Sequence, residues 1–179
     1  MQLKRIFIAI NLPDSVKKEL LSYKEKWPEL SARWVLPENL HITLLFLLNM
    51  SEKDLQELII FSQNAASKHN PFEIVFSGIQ YGPSPENPRM IWITLQESQE
   101  LQSLQKDIQQ FKPDEKSFSP HLTLARLRQM EFRRIEPEER PMIQEEFSIH
   151  IPVNSFEIME SNLRRQGPKY TVLQSIPLG

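Results

Sequence analysis

The sequence predicts a mixed helix-and-strand chain folded as two related lobes. Three observations carry this. The order strand, helix, motif-bearing strand, connector, strand occurs twice. The two copies keep similar offsets, with 84 positions from Arg5 to Arg89 and 80 from His41 to His121. Each copy carries a tetrapeptide of the form His-apolar-Thr-apolar, His41-Ile42-Thr43-Leu44 and His121-Leu122-Thr123-Leu124. Two amphipathic units repeated at a fixed period suggest lobes related by a pseudo-twofold axis. Facing lobes would bring both tetrapeptides to one cleft, where a small ligand could be held from two sides.

In chain order, residues 4–11 read as a buried first strand. Asp14 or Ser15 opens a helix to about Trp27, with Val16, Leu20, Leu21 and Tyr23 on one stripe. Arg33-Trp34-Val35 is a short extended piece, and Pro37-Glu38-Asn39 turns the chain into a strand over 40–47 that carries the first motif. Ser51 with Asp54 forms a capping-box pattern ahead of a helix to about Lys68. Asn70-Pro71 breaks that helix, 72–80 alternates as a strand, and 82–88 is a proline-rich loop. The pattern then restarts. A strand over 89–95 precedes a helix carrying Leu101, Leu104, Ile108 and Phe111, and Phe118-Ser119-Pro120 leads into the second motif strand, 121–127. A polar, proline-bounded segment follows, then strands over 147–151, 153–161 and 170–176.

Composition narrows the function classes. The chain has 179 residues, 40% hydrophobic and 25% charged, as in an ordinary globular protein of one large domain or two small lobes. A net charge of −2 gives no global attraction to nucleic acid, so a polyanion site must be a local basic patch. There is no cysteine, hence no disulfide, thiol nucleophile or cysteine-ligated metal, and this fits a reducing cytoplasm. The apolar run after Met1 is too short to cross a membrane. No Gly-rich phosphate loop, Gly-x-Ser-x-Gly elbow or dinucleotide fingerprint occurs, which argues against ATP-driven chemistry. His-Glu-x-x-His spacing is also missing, and two histidines without a close third ligand make a poor zinc set.

The chemistry therefore rests on the repeated motif. Strand side chains alternate between faces, so His41 with Thr43, and His121 with Thr123, share an open face while Ile42, Leu44, Leu122 and Leu124 face a core. A lone strand histidine is ordinarily structural, and threonine is simply a good strand former. Two of the chain's four histidines opening the same motif argue for function; His69 and His150 read as a helix-end cation and a strand side chain. Histidine titrates near ~6.5, so two of them flanking a phosphorus atom suit an in-line displacement, one accepting and one donating a proton. Thr43 and Thr123 can donate to phosphoryl oxygens, and Arg126 adds a forked cationic donor. Plain alternation puts Arg126 on the wrong face, so a bend in the strand is required.

The stretches Arg5–Pro13, Arg33–Leu44, Pro120–Arg126 and Gly167-Pro168-Lys169-Tyr170 closely resemble the RNA 2′,3′-cyclic phosphodiesterases, also called 2′-5′ RNA ligases, of the 2H phosphoesterases. The resemblance runs nearly end to end. It implies an α+β fold of two pseudo-symmetric lobes, each an antiparallel sheet with helices, around a central cleft, with 1–179 forming one bilobal domain. It implies hydrolysis of RNA 2′,3′-cyclic phosphate ends to 2′-phosphates without metal or cofactor, and ATP-independent 2′-5′ ligation as the reverse of the same step. His41 would be the proton donor and His121 the acceptor, with Thr43, Thr123 and Arg126 on the phosphate. Phe46 matches a family aromatic that could stack on a base, core packing being its other reading. The family usually has glycine after Phe-Leu following the first motif, where this chain has Leu48. Partners on this reading are RNA ends or nucleotides bearing a cyclic phosphate, with neither membrane nor obligate protein partner and a cytoplasmic location. Two alternatives stay open: a related enzyme acting on small cyclic nucleotides, and a nucleotide- or RNA-binding module without turnover. Arg128, Arg133, Arg134, Arg164, Arg165 and Lys169 favour a polyanionic strand if they line the cleft rim, and a small substrate if they are scattered.

Overall fold

The computed structural model describes residues 3–113, 117–165 and 167–179. Its strands are β1 (Lys4–Asn11), β2 (Ala32–Trp34), β3 (His41–Met50), β4 (Phe72–Gly82), β5 (Met90–Leu95), β6 (His121–Leu127), β7 (Gln144–Val153), β8 (Ser155–Arg164) and β9 (Gly167–Pro177). Its α-helices are α1 (Asp14–Ser22), α2 (Glu52–Ala66), α3 (Gln99–Gln109) and the short α4 (Gln129–Phe132). The expected elements are all present. α1 continues as a 3₁₀ turn over Tyr23–Lys26, and α4 lies in the connector after the second motif. The capping box at Ser51 forms as its spacing predicts: the Ser51 hydroxyl accepts from the Asp54 amide at 3.2 Å, and Asp54 accepts from the Ser51 amide at 3.0 Å.

All strand pairings are antiparallel, in the order β7-β4-β5-β6-β3-β1-β8-β9, with β2 paired to the outer end of β6. Folding this order about its centre superposes β1 on β5, β3 on β6, β8 on β4 and β9 on β7, which is the expected pseudo-twofold relation. The two halves join where Ile42 lies opposite Leu122, the apolar residues inside the two motifs. The pairing also exchanges strands between the repeats. β4 leaves the first sequence repeat to pair in the lobe of the second, and β8 returns to pair with β1. Helices cross as well. The chain after α1 reaches the second lobe through Lys26 to Glu145 at 2.6 Å and the Trp27 indole N–H to the Met142 carbonyl at 3.1 Å. In return α3 reaches β3, with Gln105 donating to the Leu44 carbonyl at 3.5 Å.

Alternation sorts the residues of β1. Ile6, Ile8 and Ile10 join the main core with Leu20, Leu55, Leu58, Leu101 and Leu104 from the helices, and Ile42, Leu44, Leu122 and Leu124 join it from the motif strands. Phe7 and Ala9 point the other way, into a small cluster with Met159 under Tyr170.

Leu48 stands at the position of the family glycine, and its backbone has φ +58°, the region glycine favours. It follows Leu47, which drops out of register between the pairs Ile6–Leu48 and Phe7–Phe46. Holding a β-carbon there costs about 1–2 kcal/mol. We expect Leu48→Gly to be more stable than Leu48→Ala by about 1 kcal/mol in denaturant melts, reversing the order seen in an ordinary strand. Comparing the two variants cancels the loss of the leucine side chain; alanine equal to or better than glycine contradicts the assignment of strain.

Candidate active site

The two motif strands bend in the same way. Opposite β3, Ala9 pairs with Thr43 and Ile8 with Leu45, leaving Leu44 as the extra residue of a bulge. Opposite β6, Trp92 pairs with Thr123 and Ile91 with Ala125, leaving Leu124 extra. Two successive residues are therefore buried in each strand, Leu44-Leu45 and Leu124-Ala125. The next residues, Phe46 and Arg126, swing back to the face of the histidines. This is the bend that Arg126 required. It also settles Phe46, which is 62% exposed and so not part of the core. The bulged carbonyls find donors: Leu44 from Gln105, and Leu124 from the Val35 amide at 3.0 Å.

A cavity of about 310 Å³ lies on this face, lined by His41, Thr43, Phe46, His121, Thr123 and Arg126 among others. Every site residue expected from sequence is thus brought together. Arg33, Asn39, Met90, Pro168 and Tyr170 are among its other wall residues. Arg33 lies directly across the β2–β6 pair from Arg126, so two guanidinium groups face one cleft. Like charges directly opposite each other repel, and an anion held between them would offset that repulsion. Arg33 rests against Gly167, whose φ of +120° and missing side chain leave the room.

Each histidine is held the same way. The Nδ1 of His41 donates to the Asn39 carbonyl at 2.7 Å, and that of His121 donates to the Ser119 carbonyl at 2.8 Å. A carbonyl only accepts, so Nδ1 carries the hydrogen and Nε2 of each neutral ring is an acceptor on the cleft side, that of His41 accepting from the Thr43 hydroxyl. Thr43 lies 3.1 Å from His41 Nε2. Asn39 is itself pinned, its amide donating to the Pro168 carbonyl at 2.9 Å. The surroundings then diverge. His41 is boxed by Phe7 and Tyr170, with ring centroids at 5.0 and 5.2 Å. His121 lies flat on Trp92, at 3.8 Å and 18°. Trp92 in turn lies on Gly82, where a β-carbon would fall inside its ring. Sequence reasoning assigns no role to Tyr170, although it closes the stretch Gly167-Pro168-Lys169-Tyr170, or to Trp92, and both lie far along the chain from the histidines they touch.

Burial depresses both histidines. It brings His41 from 6.5 down to about 4, against the upward pull of the Asn39 carbonyl, and Arg126 and His121 lower it further. His121 is lowered for the same reason. Both rings are neutral at pH 7, and a single added proton favours His121. Among the described residues no group of three or more His, Asp or Glu side chains converges to hold a metal ion.

The chain matches the LigT like phosphoesterase family over residues 10–92 and again over 93–170, one match per repeat. The chain belongs to this family. Its relatives include an RNA 2′,3′-cyclic phosphodiesterase of Archaeoglobus fulgidus, 32% identical over 95% of this chain and 98% of that one. Another, with the same name, comes from Aquifex aeolicus and is 28% identical over 100% of both chains. The fold matches the crystal structure of TT0787 of Thermus thermophilus with a TM-score of 0.80 and 27% identity, covering 97% of each chain. As a phosphoesterase of this family, the chain is a hydrolase.

Proposed function

We propose that this phosphoesterase opens 2′,3′-cyclic phosphates at RNA or nucleotide ends to 2′-phosphates, through His41 and His121 acting across one phosphorus atom. The observation that carries the reading is the convergence of both histidines, two threonines and Arg126 on one cavity. Arg126 and the Thr43 and Thr123 hydroxyls hold the non-bridging oxygens. Water attacks phosphorus in line with the 3′-oxygen. His121 Nε2 takes the water proton, and His41, carrying a proton on Nε2, gives it to the departing 3′-oxygen. A 2′-phosphomonoester results. A 5′-hydroxyl in the place of water would give a 2′-5′ linkage without ATP. The whole chain works as one bilobal unit, since neither repeat alone holds both histidines. The absence of cysteine supports a cytoplasmic setting, and no described helix is long and apolar enough to cross a membrane.

The donor role requires His41 to be protonated, which its burial resists. The phosphate monoanion of the substrate must raise its pKa on binding. The pH dependence follows with a definite sign. As pH rises from the acid side, the sole proton of the pair is lost and with it the acid; as pH falls, both rings charge and the base is lost. With both free-enzyme values below 6.5, kcat/KM should peak below pH 6.5. The kcat peak should lie higher, because bound phosphate favours the imidazolium. A kcat/KM maximum well above 7 contradicts the depressed histidines.

The cavity lining supports a small nucleotide over a long polyanionic strand. None of Arg128, Arg133, Arg134, Arg164, Arg165 and Lys169 lines the cavity, where the cations among the described residues are Arg33 and Arg126. The direct test offers a 2′,3′-cyclic nucleotide and a cyclic-phosphate-ended oligoribonucleotide in the presence of EDTA and assigns products by phosphorus NMR. Acid, base and phosphate donors are all side chains, so turnover should persist, giving the 2′-phosphate. Loss of activity restored by a divalent ion, or a 3′-phosphate as main product, overturns the mechanism. Binding without turnover turns the protein into a binding module.

A further inference from the structure

A second cavity, of about 290 Å³, opens beside the first. The two share Phe46, Arg126, Pro168 and Tyr170 as walls. Beyond them the second is lined by Arg5, Phe7, Leu48, Ser161 and Leu163 among others. We propose that this cavity holds the base of the nucleotide that precedes the cyclic-phosphate end, so that the enzyme grips RNA ends by two residues rather than one. The proposal rests on the functional reading above.

Three observations carry it. Leu48 and Leu163 are 50% and 66% exposed and, with Phe46, leave one apolar surface open to solvent next to the catalytic cleft. Such a surface fits the face of a base. Leu48 is kept at φ +58°, where glycine would remove the strain. A strained residue that persists beside a site is a mark of function there, here as an apolar wall. Finally, the cavity is flanked by Arg5 on the outer side and Arg126 on the inner, a charge pattern complementary to the phosphodiester that joins two nucleotides. Phe46, common to both cavities, can then be stacked by the terminal base or by its neighbour.

Binding by calorimetry tests this without relying on turnover. The probes are a 2′-mononucleotide, a dinucleotide with the same 2′-phosphate end, and that dinucleotide lacking its first base. Stacking of one base on an aromatic ring corresponds to roughly 5- to 150-fold in affinity. The dinucleotide should therefore bind at least about tenfold tighter than the mononucleotide, and the abasic form should lose most of that gain. Leu163→Asp, on an exposed position, should abolish the dinucleotide advantage and leave mononucleotide affinity unchanged; Leu48→Gly should reduce it while the fold is retained. Equal affinity for mono- and dinucleotide, or for the dinucleotide with and without its first base, overturns the subsite and leaves the catalytic reading intact. Failure of all three probes to bind overturns both. The abasic comparison needs no variant, so the outcome does not depend on either substitution folding.

Discussion

His41→Ala and His121→Ala should each lower turnover of a 2′,3′-cyclic phosphate by at least about 10²–10⁴-fold, the range of a single general acid or base. The double variant should lose far less than the product of the two. On the proposed mechanism both imidazoles act in one transition state, so once one proton transfer is gone the other has little left to assist. The proteins should stay folded. The core packing of each motif lies on its other face, where Ile42 and Leu122 are fully buried and form the seam between the lobes, so the variants lose only the ring contacts of the histidines. A 2′-nucleotide should still bind, more weakly, through Thr43, Thr123 and Arg126. Near-intact turnover in either folded single variant removes the pair from the mechanism.

Trp92 should prove the most costly residue outside the motifs. It positions His121 from beneath, its indole stacked on the imidazole at 3.8 Å while Nδ1 is tied to the Ser119 carbonyl. Replacing it with leucine removes the flat support and lets the ring tilt about that tether. A misplacement of about 1 Å can cost on the order of 10²-fold in rate. We expect Trp92→Leu to lose roughly that much in kcat with KM little changed. The more solvated His121 should titrate closer to 6.5, moving upward the alkaline limb of the pH profile, where the pair loses its sole proton. Gly82→Ala should act in the same direction, because its β-carbon would displace the indole. A merely structural Trp92 would reduce stability without moving the pH limb.

Much of this is legible in the sequence because it depends on local alternation. His-x-Thr on one face and the apolar pairs on the other follow from strand geometry alone, and the Ser51–Asp54 cap follows from spacing. The position of Arg126 is the misfit of simple alternation. Its solution is also written locally, in the paired apolar residues Leu44-Leu45 and Leu124-Ala125. Two neighbouring buried residues in an alternating strand are the mark of a bulge, and each bulge turns the following side chain onto the catalytic face. Leu48 likewise stands out in the sequence as a departure from the expected glycine, and its backbone shows why glycine would suit the position. What the sequence hides depends on register between distant strands. Trp92 meets His121 only because β5 pairs with β6. Tyr170 meets His41 because β8 and β9 return to the first lobe. Nothing local specifies that β4 and β8 exchange lobes.

The assignment of donor and acceptor is tested most directly with a substrate whose 3′-bridging oxygen is replaced by sulfur. A thiolate leaves without a proton, so only the base is then needed. His41→Ala should regain most of the wild-type rate on the sulfur-bridged cyclic phosphate, while His121→Ala stays as impaired as on the oxygen substrate. Rescue of His121→Ala instead of His41→Ala would reverse the roles, in line with the deeper depression of His41, and would contradict the proposed mechanism.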